Sequence, residues 1–283
     1  YLNQEGSVVT SKFERTTVKA NVVTKANDWL ELGLNSLMAF GNESGPTQDG
    51  SSYQSPIQWI NTVSNIYPLY KRNSLGELIY DGIGNAIYDY GQDGNYLING
   101  TRPLMSNENA VGALYEGYKI NNKRTNVSVS GYAKVNFTDY LSLRSHLSYQ
   151  TYFLDNSQWS SNKFGNAVSV DGRIEKNRDT RTTKNLINSL NFDKSYGDHN
   201  LRADAIMEMY DFVYETTNAQ GVGFLPGITV LNGTTTPESV GGAIYSERIL
   251  GYMGRVGYDY AGKYFLEGTY RKEASTRFHE DVR

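Results

Sequence analysis

Few residues of this sequence have the types and spacing that catalysis or metal binding needs. The chain has three histidines, His146, His199 and His279, and no cysteine. It contains neither an HExxH nor a GxSxG sequence, which excludes a metalloprotease helix and a nucleophile turn of those types. Residues 89–95 carry the oxygen-bearing side chains of a calcium loop, but the ligand spacing fails at Gly91. We predict no catalytic residue, no metal site and no cofactor, and we expect His146 to be a hydrogen-bonding side chain.

Aromatic side chains are the better candidates for binding. The chain carries 23 tyrosines in 283 residues. Flat rings stack on sugar faces or peptide side chains, and amphipathic rings also favour the boundary between lipid and water. Five rings on predicted loops are candidates for contact with a ligand or a protein partner: Tyr53, Trp59, Tyr88, Tyr90 and Trp159. For each of them, packing within the loops or anchoring at the interface is the alternative that the sequence leaves open.

The elements that position these side chains are predicted from alternation. Between residues 126 and 152, apolar and polar residues alternate along two segments that meet at Thr138 and Asp139. Successive side chains of a strand point to opposite faces, so each segment is a strand with one apolar and one polar face. A soluble strand has about 5–6 residues, whereas a tilted strand that crosses a bilayer needs about 9–11. Because both segments exceed that length, the pair is predicted to be a transmembrane hairpin.

Three more hairpins of this kind are predicted, with turns at residues 27–28, 197–198 and 261–262. They bring the total to eight strands, with long connectors at about 43–122, 155–179 and 215–244. Short turns on one rim and long loops on the other are typical of an outer-membrane β-barrel. The first connector is rich in aromatic residues, so we expect it to form a folded extracellular lobe. Mean hydropathy is -0.54, and no apolar run is long enough to predict a transmembrane helix.

Charged residues occupy the polar face of the predicted strands. Lys19 and Glu31 lie there, together with the following eight residues: Lys134, Arg144, Arg202, Asp204, Glu208, Arg255, Glu267 and Arg271. An arginine or lysine facing lipid at the bilayer midplane costs about 2–4 kcal/mol. These charges are therefore expected to face a lumen filled with water or protein. The net charge of -3 and the absence of a basic stripe argue against nucleic acid as a partner.

Several segments carry a family resemblance. The sequence GRVGYDYAGKYFLEGTYR at 254–271, followed by STRF at 275–278, resembles a strand–turn–strand signature of SusC/RagA-like TonB-dependent outer-membrane transporters. Four further segments are similar to parts of the same barrel, in the same order: 1–6, 13–15, 27–35 and 197–201. The sequence departs from the family pattern at Glu273–Ala274 and His279–Glu280.

This resemblance implies a barrel of about 22 strands whose lumen holds a plug. It further implies a transporter, not an enzyme, that works with a SusD-like surface lipoprotein and TonB in the outer membrane of a Gram-negative cell. The implied activity is energy-coupled import of an oligosaccharide or an oligopeptide. The chain begins at Tyr1 and shows no plug or TonB-contacting segment, so we expect an internal part of the barrel wall. A passive porin, a barrel-borne enzyme and a soluble carbohydrate-binding β-sandwich are the alternatives.

Overall fold

One antiparallel sheet forms most of the described chain. The computed structural model describes residues 1–46, 68–90, 109–116, 119–162, 167–224 and 228–279. The strands in these ranges are β1 Leu2–Glu5, β2 Lys12–Asn27, β3 Leu30–Gly45, β4 Lys119–Thr138, β5 Leu141–Ser160, β6 Arg173–Tyr196, β7 His199–Phe224, β8 Thr234–Tyr260 and β9 Tyr264–Ser275. They pair in chain order, which leaves β1 and β9 at the two edges. One α-helix, α1 Ala110–Glu116, and two short 3₁₀ helices, Val168–Val170 and Leu231–Gly233, complete the described elements.

The four predicted hairpins, and with them the predicted antiparallel barrel wall, are confirmed. They are β2–β3, β4–β5, β6–β7 and β8–β9, and each closes with a short turn. Gly197 adopts a φ of 59° between β6 and β7, a left-handed conformation that glycine takes without a steric penalty. The ninth strand, β1, has four residues, which is too short for its alternation to be detected in the sequence. No α-helix within the described ranges is long and apolar enough to cross a membrane.

The predicted bounds of two connectors, 155–179 and 215–244, were wrong. Strand β5 continues to Ser160 and β6 begins at Arg173, while β7 continues to Phe224 and β8 begins at Thr234. Backbone pairing persists there although the apolar alternation has stopped. The reason is that both faces are polar in these arms: Asn156 pairs across the strands with Asn177 on one face, and Asp155 with Arg178 on the other. Alternation reports a buried or lipid-facing side, so it cannot detect a strand that is polar on both sides.

The pairing register divides the side chains of the sheet into two faces. Residues directly opposite each other in neighbouring strands share a face. One such row, on the face that we call the apolar face, contains Leu34, Gly131, Leu147, Leu186, Met209 and Leu250. Many large apolar side chains of this face are exposed: Val18, Val22, Leu32, Leu34, Met38, Phe40, Leu147, Tyr149, Phe153, Leu190, Leu201, Met209, Leu250, Tyr252, Val256, Tyr258, Leu266 and Tyr270. A contiguous exposed apolar surface of this extent requires contact with lipid or with another protein.

The most deeply buried side chains lie at the end of strands β5, β6 and β7 that is far from the short turns. There a small cluster of apolar side chains packs together. Ile174 is 1% exposed and Phe224 is 3% exposed, and the ring of Trp159 lies 5.2 Å from that of Phe224. Gly172 has a φ of 87°, and a Cβ at this position would lie 2.1 Å from the ring of Phe224. Glycine is therefore required there both by the backbone conformation and by the space that the ring occupies.

Candidate functional site

The opposite face of the sheet, which we call the polar face, carries the predicted charged residues. The register places all ten of them there: Lys19, Glu31, Lys134, Arg144, Arg202, Asp204, Glu208, Arg255, Glu267 and Arg271. Lys134 lies directly across from Arg144, and Asp204 directly across from Arg255. The face thus holds charges of both signs on strands that the sequence separates by more than a hundred residues.

Ion pairs link these charges across the strands. Arg255 Nη2 donates to Glu267 Oε2 at 2.8 Å, and Arg271 Nη2 donates to Glu208 Oε2 at 3.1 Å. Arg202 lies 3.3 Å from a carboxylate oxygen of Asp193. Exposed pairs of this kind add little stability, because water screens them and ordering the side chains costs entropy. Their main effect is to keep this face hydrophilic and its charges balanced.

The charged residues nearest the short turns border a cavity of about 690 Å³. Arg202, Asp204, Arg255 and Glu267 line it, and Phe265 contributes an apolar wall. Asp204 also accepts a hydrogen bond of 2.7 Å from Asn191 Nδ2 on β6. The cavity is therefore surrounded by paired charges and hydrogen-bonded amides, a surface suited to water or to a polar protein segment.

Further along the strands, the polar face carries a row of rings and guanidinium groups that the sequence did not predict. Tyr152, Arg181, Tyr214 and Tyr245 lie directly across from one another on β5, β6, β7 and β8. The guanidinium carbon of Arg181 lies 5.9 Å from the ring centroid of Tyr152 and 5.2 Å from that of Tyr214. Both distances are within the range of a cation–π contact. Arg277 lies over the ring of Tyr245 at 6.0 Å and extends the row.

A loop lobe, residues 68–90 and 109–116, supplies the second candidate surface. Two successive hairpins in it have the same hydrogen-bonding pattern in their turns. Asn73 Oδ1 accepts the backbone N–H groups of Leu75 and Glu77, and Asp81 Oδ1 accepts those of Ile83 and Asn85. The side chain of the first turn residue thus replaces a backbone acceptor, as Asn and Asp do in many turns. The hairpins give the lobe an ordered backbone without a large core.

Asn109 joins the hairpins to α1. Its side chain is nearly inaccessible, with 4% of the residue surface exposed. Nδ2 donates to the carbonyl oxygens of Leu69 and Asp89 at 2.8 and 2.9 Å. Oδ1 accepts the N–H groups of Val111 and Gly112 at the start of the helix. One amide therefore bonds four backbone groups of the lobe and holds the hairpins against α1.

Between the hairpins and α1 lies a groove of about 710 Å³ that we call the tyrosine groove. Its aromatic lining consists of Tyr70, Tyr88, Tyr90 and Tyr115. The rings of Tyr70 and Tyr88 are stacked at 5.2 Å, and Tyr90 donates a hydrogen bond of 3.0 Å to Glu116 Oε2. Burial raises the pKa of the Tyr88 hydroxyl, so this group stays a neutral hydrogen-bonding partner. The groove offers flat faces and hydroxyls together, the pattern that suits polar organic ligands.

The five predicted aromatic candidates have different positions. Tyr88 and Tyr90 both lie in the tyrosine groove, although Tyr90 is 5% exposed and so contributes mainly to its wall. The placement of Trp159 on a loop was wrong: it lies on β5, packed against Phe224, because the polar arm of that strand extends past the predicted loop boundary. Tyr53 and Trp59 lie outside the described residues.

The titration of Asp81 gives a testable property of the lobe. Hydrogen bonds from backbone N–H groups, above all that of Asn85, hold the pKa of this carboxyl below its ordinary value of 3.8. Because the pKa of the Asp81 carboxyl is lower in the folded lobe than in the unfolded chain, its hydrogen bonds stabilise the turn fully above pH 3.8. This stabilisation is lost as the pH falls through the lower pKa of the folded state. We expect amide-exchange protection at Ile83 to decrease when the pH is lowered from about 6 to about 3. Protection at Leu75, whose turn uses the uncharged Asn73, should change much less, and an equal decrease at both would contradict this origin.

Two histidines lie on the sheet, one on each face. His146 lies on the polar face, directly across from Tyr132. His199 lies at the turn end of β7 on the apolar face, where Nδ1 is 2.6 Å from the hydroxyl of Tyr258. Among the residues that the structure describes, no group of three or more acidic, histidine or cysteine side chains could hold a metal ion.

These features define a class. Strands of up to 27 residues, one continuous apolar face and one charged face are the properties of a transmembrane β-barrel wall. The chain is 25% identical, over an alignment of 295 residues, to TonB-dependent receptor P3 of Formosa agariphila. That alignment covers 99% of this chain and 26% of the receptor. No protein-family model matches the chain.

Solved structures give the same fold. The chain superposes on the RagAB peptide transporter with a TM-score of 0.73 at 18% identity, covering 96% of this chain and 29% of that one. The RagAB peptide importer in its open-open state gives a TM-score of 0.71, and in its closed-closed state 0.69. The resemblance predicted from the sequence is confirmed: the chain is similar to a segment of a SusC/RagA-like TonB-dependent transporter. It spans less than a third of the length of each of these proteins.

Proposed function

We propose that this chain is part of the barrel wall of a transporter that imports oligopeptides or oligosaccharides across the outer membrane of a Gram-negative cell. The energy comes through TonB, and a SusD-like surface lipoprotein works with the barrel at the cell surface. One observation carries the proposal: a sheet with one apolar and one charged face is similar, along its whole length, to a TonB-dependent receptor. The chain contributes wall strands and outer loops and is not itself an enzyme.

In this account the apolar face contacts lipid and the polar face lines the lumen. The exposed leucines, valines and tyrosines of the apolar face lose contact with water when lipid covers them, which is favourable by about 25 cal/mol per Å². The charged residues around Arg255 and Glu267 remain hydrated or contact a protein plug. The opposite orientation would place several ion pairs in hydrocarbon, where each charge is costly.

The tyrosine groove is the proposed cargo contact of the outer loops. Aromatic stacking contributes about 0.5–1.5 kcal/mol beyond the burial of ring area. We expect Tyr88→Ala to weaken cargo binding by roughly three- to tenfold, because it removes a ring of the stacked pair that lines the groove. Isothermal titration of the purified transporter with its cargo measures this change.

Tyr80→Ala is the matched control for the groove. Tyr80 belongs to the same hairpins and is 56% exposed, but it does not line the groove. Its removal should leave cargo affinity unchanged. Equal effects of the two substitutions, or no effect of either, would contradict the assignment of the groove to cargo binding.

The proposed function is tested by purifying the native protein from outer membranes in mild detergent and identifying every polypeptide in the complex by mass spectrometry. A longer polypeptide with a plug and a TonB-contacting segment, together with a surface lipoprotein, is the expected result. A barrel without a plug or lipoprotein would favour a passive porin. A protein released by salt without detergent would favour a soluble binding module.

A further inference from the structure

Arg181 lies at the centre of the unpredicted row on the polar face, within cation–π distance of two tyrosine rings. We propose that Arg181, held between Tyr152 and Tyr214, is a binding site for carboxylate groups of the transported cargo. This inference rests on the proposed function and adds to it the chemical group that the wall recognises.

The row is a continuous, regularly spaced surface. Tyr152, Arg181, Tyr214 and Tyr245 occupy directly opposed positions on four neighbouring strands. Neighbouring strands are about 4.7–4.9 Å apart, so the row extends for roughly 14–15 Å across the sheet. That length matches a few units of an extended oligomer, which could contact the ring of Tyr245 while a carboxylate is held at Arg181.

The guanidinium of Arg181 lacks the acidic partner that several other arginines have. Arg124 pairs with Glu43, Arg277 with Glu247 at 2.7 Å, and Arg271 with Glu208 at 3.1 Å. Within the described part of the chain, Arg181 has no carboxylate within 4.0 Å and contacts two rings instead. Its side chain is exposed on the polar face.

The nearest acid on the same strand face is already engaged. Asp179 lies two residues from Arg181, and its Oδ1 accepts hydrogen bonds from Thr216 Oγ1 at 2.7 Å and from the Tyr214 hydroxyl at 3.3 Å. Tyr214 therefore connects the two sites: its ring contacts Arg181 while its hydroxyl is held by Asp179. This arrangement orients the ring and engages Oδ1 of Asp179 with two hydroxyl donors.

The cation–π contacts at 5.2 and 5.9 Å leave the N–H donors of the guanidinium available. A ring contacts the flat face of this group, whereas its N–H donors lie in the plane and point outward. Two parallel N–H donors match the two oxygens of a carboxylate, which makes arginine the usual side chain for this recognition. The C-terminus or an acidic side chain of a peptide carries such a group, and so does a uronate of an oligosaccharide.

The test uses the whole purified transporter and matched pairs of probes. The peptide pair is an acidic oligopeptide and the same peptide with its carboxyls amidated, and the sugar pair is a uronate oligosaccharide and its neutral analogue. We expect the wild type to bind the carboxylate member of at least one pair more tightly, and Arg181→Gln to weaken that binding about tenfold or more. Binding of the neutral member should not change. The pair that responds identifies the source of the carboxylate.

Arg178→Gln is the matched control. Arg178 is on the same strand, three residues away, but on the other face and paired with Asp155 at 3.2 Å. Its substitution should leave binding unchanged, and unchanged heat-modifiable gel migration would show that both variants keep the barrel. Equal binding of both members of each pair, or equal losses in the two variants, overturns the Arg181 site and leaves the import proposal standing. Failure of every probe to bind the wild type would count against the proposed function and would also overturn the Arg181 site.

Discussion

Replacing Leu147 by arginine is expected to destabilise the folded protein in a lipid bilayer by about 2–4 kcal/mol. Leu147 is 57% exposed and lies in the apolar row beside Gly131 and Leu186. In a soluble protein an arginine at so exposed a position would be harmless, because water would solvate it. In the proposed barrel wall this arginine faces hydrocarbon. The change in the free energy of unfolding therefore shows whether position 147 is surrounded by lipid or by water. Denaturant unfolding of the whole protein in lipid vesicles measures this free energy.

Ser148→Arg is the control for this prediction. Ser148 is the next residue, and its side chain points to the polar face, directly across from Ser130. The same added side chain should there change the free energy of unfolding by much less than Leu147→Arg does. If the two variants are equally stable, or if Ser148→Arg is the worse one, the proposed assignment of lipid and lumen faces is wrong.

Replacing Asn109 by alanine is expected to have the largest effect on the loop lobe. The substitution removes four hydrogen bonds to backbone groups, at Leu69, Asp89, Val111 and Gly112. Hydrogen bonds contribute about 0.5–1.5 kcal/mol each, so a loss of roughly 2–6 kcal/mol is expected for the lobe. Hydrogen exchange of the whole protein should show lost protection at lobe amides such as that of Ile79, which donates to the Lys71 carbonyl oxygen. Protection in the sheet should be unchanged.

Asn109→Asp separates the two roles of this side chain. The carboxylate keeps an acceptor for the N–H groups of Val111 and Gly112, but it places a second acceptor against the carbonyl oxygens of Leu69 and Asp89. We therefore expect α1 to retain protection while its attachment to the hairpins weakens. Protection in Asn109→Ala equal to that of the native protein would show that the lobe is held together by other contacts.

The sheet was predictable because its strands have two different environments. Leu141, Leu143 and Leu147 on one face and Arg144 and His146 on the other make the alternation of β5 visible in the sequence. Where the two faces no longer differ in polarity, the predicted strand ended as well. The strand continues through Asn156, Ser157 and Gln158 to Trp159, which is how a residue on a strand was assigned to a loop.

The contacts of the candidate sites were not predictable from the sequence. They depend on the pairing register of the strands and on contacts between residues far apart in the chain. Tyr152, Arg181 and Tyr214 are polar-face residues of three strands, and only the pairing register shows that they are neighbours. Asn109 is 40 residues from Leu69, whose carbonyl oxygen it binds. No local pattern in the sequence indicates such a contact. What could have drawn attention to the row is the repeated placement of tyrosine on the polar side of long strands.

The orientation of the two faces is tested most directly by a cysteine scan of β5 in the whole protein. This chain has no cysteine, so single substitutions from Leu143 to Tyr152 place one label at a time in it, once any cysteine elsewhere has been replaced. Spin labels on these sites in lipid vesicles report collision with oxygen dissolved in lipid and with a nickel chelate dissolved in water. We predict lipid exposure at the odd-numbered positions such as Leu147 and water exposure at the even-numbered ones such as His146 and Ser148. Equal access of the nickel chelate to both sets would contradict a barrel wall with a lipid face and a lumen face.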